Sequence, residues 1–159
     1  MQSNIDSQHT IQQLINIVGQ QHVLTHDHAT RLYRQGRRYG SGQVLAVVVP
    51  GTLFEQWQVL QAAVNADCIV IMQAANTGLT GGSTPFGDDY DRPVILMSTR
   101  RLAGIQVINQ GQQVICLPGA TLDRLEKELA HYNREPHSVI GSSCIGASVL
   151  GGICNNSGG

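Results

Sequence analysis

Apolar positions along this 159-residue chain follow two periods, and the changes of period mark the elements. From Gln8 to Val18, the residues Ile11, Leu14, Ile15 and Val18 stand at i, i+3, i+4 and i+7, the spacing of one helix face, and Gly19 follows where a helix end favours glycine. "VLAVVV", Val44 to Val49, is uninterrupted and stopped by Pro50 and Gly51, which predicts a strand buried on both faces. Thr52 and Glu55 then form a T-x-x-E capping box for a helix whose inner face is Leu53, Trp57, Leu60 and Val64, so Trp57 is expected to be largely buried. "CIVIM", Cys68 to Met72, returns as a strand. Residues 44 to 72 thus read as one strand, helix, strand unit with a right-handed crossover and parallel neighbouring strands.

Between these segments, "THDHATRLYRQGRRYGSG" suggests a short helix capped by Asp27 and carrying Ala29, Leu32 and Tyr33, followed by a loop of glycines and arginines. His26 and His28 have no third ligand at metal-site spacing, which favours a solvated helix entry over a metal site. Further on, Val94 to Ser98 is a third strand candidate, and two apolar segments around Asn109 to Gln112 read as a hairpin. Thr121 is placed to cap a helix with Leu122, Leu125 and Leu129 inside and an Asp123–Lys127 pair outside. The last stretch, "REPHSVIGSSCIGASVLGGICNNSGG", shows no helix pattern or cap, and its stop in mid-motif suggests the front piece of a longer protein.

Composition narrows the function classes. With 42% hydrophobic and 13% charged residues the chain is an ordinary globular one, and a formal net charge of -1 gives no basic footprint for nucleic acid. No apolar run approaches the roughly 20 residues of a membrane-spanning helix, and the first residues lack the pattern of a signal peptide, so a cytoplasmic location is expected. Cys68, Cys116, Cys144 and Cys154 form no C-x-x-C pair and read as reduced thiols, buried or near loops.

Ten of the 18 glycines bunch in two places, Gly78 to Gly87 and Gly141 to Gly159. "QAANTGLTGGST" leaves a predicted buried strand, and loops at the C-terminal ends of parallel strands are where open α/β sheets bind ligands. Small residues there let backbone N–H groups converge on an anion, with Asn76, Thr77, Thr80, Ser83 and Thr84 as neutral donors. Thr84, at the far end, looks exposed, and changing it is expected to matter little. The loop holds no lysine or arginine, so peptide dipoles are left to answer a diphosphate's charge. Neither G-x-x-x-x-G-K-[ST] nor G-x-G-x-x-G fits; a plain surface connection is the competing reading. The second cluster repeats the same chemistry, which favours one extended ligand. His137 there reads as a hydrogen-bonding scaffold ahead of a proton carrier.

"AANTGLTGGS" together with "REPHSVIGSSCIGASVLGGICNNSGG" resembles the FAD-binding domain of flavoproteins related to vanillyl-alcohol oxidase, and is most similar to the bacterial quinone-dependent, respiratory D-lactate dehydrogenases. The resemblance covers nearly the whole chain. It implies an α+β fold of the PCMH type, with an α/β-like first subdomain whose small parallel sheet is flanked by helices, and a second subdomain only begun. Residues 1–43 are then an N-terminal helical segment and loop, 44–132 the first FAD-binding subdomain, and 133–159 the truncated start of the second. The resemblance further implies that Ala74, Ala75, Asn76, Thr77, Gly78, Gly82 and Ser83 hold the FAD diphosphate, and that Gly141, Ser148 and Gly158 lie along its ribityl and isoalloxazine end. No histidine stands where some relatives attach flavin covalently, so noncovalent FAD is expected.

The family's reaction oxidises D-lactate to pyruvate, with electrons passed to quinone. Catalytic residues and any membrane-contacting region would lie outside this chain, leaving it inactive alone; the whole protein would sit peripherally on the cytoplasmic face of the inner membrane. Another FAD-linked D-2-hydroxy-acid oxidase, or a noncatalytic nucleotide-binding module, are the alternatives.

Overall fold

The apolar run at Val44 to Val49 does what its pattern demands. In the computed structural model, which describes residues 2–87, 90–136 and 146–156, its centre is strand β2 (Ala46–Val48), buried along its whole length. The chain divides into two compact units, Met1–Arg101 and Leu102–Gly159.

The first unit holds α1 (Gln2–Val18), β1 (Val23–Leu24), α2 (Asp27–Arg34), β2, α3 (Leu53–Asn65), β3 (Ile69–Gln73) and β4 (Val94–Ser98). Its sheet has the order β1-β2-β4-β3, with β1 antiparallel and the other three strands parallel. Alternate residues feed two cores. Ala46, Val48, Ile95 and Met97 pack with Leu14 and Val18 of α1 and with Val59 and Ala63 of α3, whereas Val47, Val49 and Leu96 meet Tyr33 of α2. The sheet is therefore covered on both faces, as an all-apolar strand requires.

Two expectations for residues 44–72 fail here. β2 and β3 are parallel but not neighbours, because β4 lies between them and pairs with both. β4 is the strand with all five residues buried, so it gains most from the centre; β3, only partly covered, takes the edge. Likewise α3 does not bury its large apolar residues: Trp57 is 52% exposed, and Leu53, Leu60 and Val64 are exposed with it. The helix docks through the smaller Val59 and Ala63, which allow its backbone to approach α1 and the sheet closely. Trp57 instead stacks on Phe54 at the surface, ring centroids 5.6 Å apart. Replacing Trp57 by Ser is accordingly expected to change unfolding free energy by no more than about 0.5 kcal/mol. Leu14→Ala, at a fully buried position, should cost roughly 2–5 kcal/mol, with urea unfolding measuring both variants.

Caps follow the sequence more closely. Thr52 Oγ1 accepts from the Glu55 N–H at 3.0 Å, and Glu55 Oε2 reaches back to the Gly51 N–H at 2.6 Å, one residue earlier than in the usual box. Gly19 takes φ +88° after α1, its N–H bonded to the Ile15 carbonyl. Asp27, by contrast, is not a cap: His26 holds that position without a side-chain bond, and the Asp27 carboxylate pairs with Arg34 further along the helix. His26 and His28 lie exposed at that entry.

In the second unit, β5 (Ile105–Ile108) and β6 (Gln113–Cys116) form the expected antiparallel hairpin. α4 (Leu122–Ala130) is capped by Thr121, carries the Lys127–Asp123 pair at 2.9 Å, and buries Leu125 and Leu129. The glycine-rich end, whose sequence shows no cap, contains a short helix, α5 (Val149–Cys154), capped by Ser148. The pattern hides it because glycines occupy two of its six positions. Burial raises the Cys68 and Cys116 thiols above their ordinary range, with Asp67 adding to the effect at Cys68, which suits packed thiols. Cys154 is exposed.

Candidate functional site

β3 and β4 run parallel and end side by side, Gln73 opposite Ser98, so the chain leaves both strands at one edge of the sheet. The loop Ala74 to Ser83 leads away from β3, and Thr99 and Arg100 lead away from β4. A cleft of about 500 Å³ opens there. Ala74, Ala75 and Asn76 line it from the loop, and Leu32, Tyr33 and Gln35 line it from the end of α2.

Two amide side chains hold the loop to α2. Gln73, 3% exposed, donates from Nε2 to the Tyr33 carbonyl at 2.9 Å and to the Ser83 carbonyl at 2.7 Å. Asn76 donates from Nδ2 to the Gln35 carbonyl at 2.7 Å and accepts from the Ser83 hydroxyl at 3.3 Å. Carbonyls at a helix end lack intrahelical partners, so these bonds both satisfy α2 and fix the loop's path. Asn76 also takes φ +54°, a left-handed conformation that asparagine tolerates better than most side chains.

The segment after α2 is the second wall. Gly36 donates to the Gly40 carbonyl at 2.7 Å, closing a turn that presents Arg37 and Arg38 at its tip. Gln43 donates its N–H to the Gly87 carbonyl, Gly87 donates to that of Ser41, and a parallel bridge joins Gly42 to Gly87. Thr84 is not the exposed residue its sequence context suggests. It is 5% exposed, and its hydroxyl donates to the Gly81 carbonyl at 3.1 Å and lies 3.4 Å from that of Tyr39. Thr84 pins the loop to this wall, so a change there disturbs packing, contrary to the expectation that it matters little.

The glycines of the loop divide by what they are for. Gly81 takes φ +77°, which glycine accommodates without strain. Gly78 and Gly82 do not have positive φ; a Cβ at Gly78 would meet nothing within 4 Å, and one at Gly82 only Thr80 Oγ1 at 3.8 Å. Nothing in the chain's own packing asks for glycine at these two exposed positions. A ligand brought against the backbone would ask for it, and a Cβ would occupy that space. The residues present therefore fit a bound dinucleotide.

Sequence reasoning misses three contributors. Gln73 looks like the mere start of the loop, and Arg37 and Arg100 line the cleft although neither belongs to the glycine loop. The signal for Arg37 is the "GRRYG" turn; for Arg100, only the topology brings it beside Ala74. Ser148 lies in the second unit, buried, its Oγ accepting from the Gly151 N–H at 3.0 Å as the cap of α5. Gly141 and Gly158, with His137, lie outside the described residues. Among the described residues no group of His, Cys, Asp and Glu is arranged to hold a metal ion, and no helix is long and apolar enough to cross a membrane.

A family model described as an FAD binding domain matches residues 44–159. The chain belongs to this FAD-binding family. It is 59% identical over 152 residues to the quinone-dependent D-lactate dehydrogenase of Haemophilus influenzae, covering 96% of this chain and 27% of that protein. It is 58% identical over 154 residues to the enzyme of the same name from Escherichia coli, covering 97% of this chain and again 27% of the relative. The FAD-binding chain thus spans about a quarter of the length of these relatives.

Among solved structures, it superposes on an alkyldihydroxyacetonephosphate synthase with a TM-score of 0.77 at 16% identity, covering 91% of this chain and 29% of that one. For 4-ethylphenol oxidase from Gulosibacter chungangensis the TM-score is 0.73 at 17% identity, covering 92% and 28%. Identities this low speak to the fold alone, which is the mixed α+β fold of PCMH-type FAD-binding domains, with its small parallel sheet flanked by helices.

Proposed function

We propose that this chain is the FAD-binding part of a respiratory D-lactate dehydrogenase that oxidises D-lactate to pyruvate and passes electrons to quinone. The observation that carries the reading is 58–59% identity, over almost the whole chain, to relatives named for that activity. FAD, when bound, supplies the hydride acceptor that no amino-acid side chain provides.

The chain's own residues bind and orient. Ala74, Ala75, Asn76, Thr77 and Gly78, with Gly82 and Ser83, form the diphosphate cradle: the backbone at Gly78 and Gly82 is open to a ligand, and Gln73 and Asn76 keep the loop in shape before one arrives. Gly141, Ser148 and Gly158 serve the ribityl and isoalloxazine end. The cofactor is held noncovalently, since the first loop offers no histidine for attachment. Residues 44–132 act as a first FAD-binding subdomain, preceded by 1–43, and 133–159 begin a second. The residues that bind the lactate carboxylate and take its hydroxyl proton lie outside this chain, as does any surface contacting the cytoplasmic face of the membrane.

The test is the full-length protein. It should purify with the visible absorption of oxidised flavin, D-lactate should bleach that absorption under anaerobic conditions, and a soluble quinone should restore it. Bleaching by other D-2-hydroxy acids but not by D-lactate would move the assignment to a different hydroxy-acid oxidase. A protein without flavin, and unable to take it up, would defeat the reading altogether.

A further inference from the structure

The cleft beside the diphosphate loop is cationic, and the loop itself is not the reason. Arg37 and Arg100 line it, from the Gly36–Gly40 turn and from the end of β4 respectively, with no acidic side chain in the lining. Their neighbours show what an engaged arginine looks like in this fold. Arg34 is paired with Asp27 and bonded to the Gly42 carbonyl and Gln43, and Arg101 donates to the Val49 carbonyl at 2.8 Å. Arg37 and Arg100, both exposed, have no such partner among the described residues. The carbonyls at the end of α2 would oppose an anion here, but the Gln73 and Asn76 amides already occupy those of Tyr33 and Gln35.

We infer that Arg37 and Arg100 are cofactor-binding residues that neutralise the diphosphate of the bound dinucleotide within the cleft that the glycine loop lines. The inference rests on the FAD reading above. Peptide dipoles from Ala74 to Gly78 supply direction and close approach; the guanidinium groups supply full charge and donors that suit phosphate oxygens. Tying Arg37 to a turn closed by the Gly36–Gly40 bond limits how far it must be ordered when the anion arrives.

The experiment is a titration of the deflavinated full-length protein with FAD, and in parallel with riboflavin, which carries the same ring system without phosphate. It is run for wild type, Arg37→Gln, Arg100→Gln and the double variant, at low and moderate salt. Each substitution should weaken FAD binding about tenfold, the loss of one charge-assisted hydrogen bond, and flatten its salt dependence, while riboflavin binding stays unchanged. Apo thermal unfolding should be unaltered. As a second measurement, inorganic pyrophosphate should raise the melting temperature of the wild-type apo form and leave the double variant unmoved. If wild type binds FAD and the variants bind it equally well with the same salt slope, the inference falls and the FAD reading stands. Equal losses for FAD and riboflavin would mean the arginines shape the fold and do not meet phosphate. If wild type binds neither flavin, it is the FAD reading that fails.

Discussion

In the full-length protein, Gly82→Val should lose FAD while its apo form melts as wild type does. The position is exposed, has no positive φ, and a Cβ there meets only Thr80 Oγ1 at 3.8 Å, so the unliganded chain has room for it. An apo stability within roughly 0.5 kcal/mol of wild type is therefore expected. A diphosphate held by the loop's N–H groups has no such room. Displacing it by the width of a side chain forfeits one or two charge-assisted hydrogen bonds at about 1.5–3 kcal/mol each, a loss of about tenfold to roughly twenty-thousandfold in affinity. Flavin content after purification and the apo melting temperature together decide the matter. Retention of stoichiometric flavin would make this loop a surface connection and put the diphosphate elsewhere. Because φ is ordinary at Gly82, the backbone-strain argument that glycine usually invites does not apply, and the effect would be steric and specific to the ligand.

Gly40→Ala should do the reverse and damage the fold whether or not cofactor is present. Gly40 has φ +89°, and a Cβ there collides with the Thr84 hydroxyl, itself buried and bonded to the Gly81 carbonyl. The left-handed backbone costs about 1–2 kcal/mol for a non-glycine residue, and the forced displacement of a packed neighbour about 1–3 more. A total of roughly 2–5 kcal/mol is a large share of the 5–15 that a domain of this kind holds in reserve. Urea unfolding of the apo proteins would measure it, with Gly78→Ala as the neutral comparison because nothing lies within 4 Å of its Cβ. A Gly40→Ala protein as stable as wild type would mean that the turn and Thr84 move apart at little cost, and that the second wall of the cleft is not rigid.

The contrast between Gly82 and Gly40 also shows how much of the site is legible in the chain. The loop after "CIVIM" announces itself through composition, and both its place at the end of a parallel strand and its freedom from side-chain crowding at Gly78 and Gly82 agree with the structure. The "RQGRRYGSG" segment is also rich in glycine but has no strand leading into it, so it reads as a generic loop. It acts through contacts 40 or more residues away, Asn76 to Gln35 and Thr84 to Tyr39, which leave no local periodicity to detect.

Local chemistry, then, was determined by the sequence: the strands β2, β3 and β4, the Thr52 and Thr121 caps, the hairpin around Asn109, and the run of small residues in the loop after β3. Each depends on interactions within a few residues, and those are written in spacing and side-chain type. Tertiary structure alone decided which elements far apart in the chain became neighbours. It put β4 between β2 and β3 because burying five residues on both faces outweighs the shorter connection. It turned Trp57 outward because Val59 and Ala63 let α3 approach more closely than an indole would. It also brought Arg37 and Arg100 to one cleft, where charge that the glycine loop lacks is supplied by residues 37 and 26 positions away from Ala74.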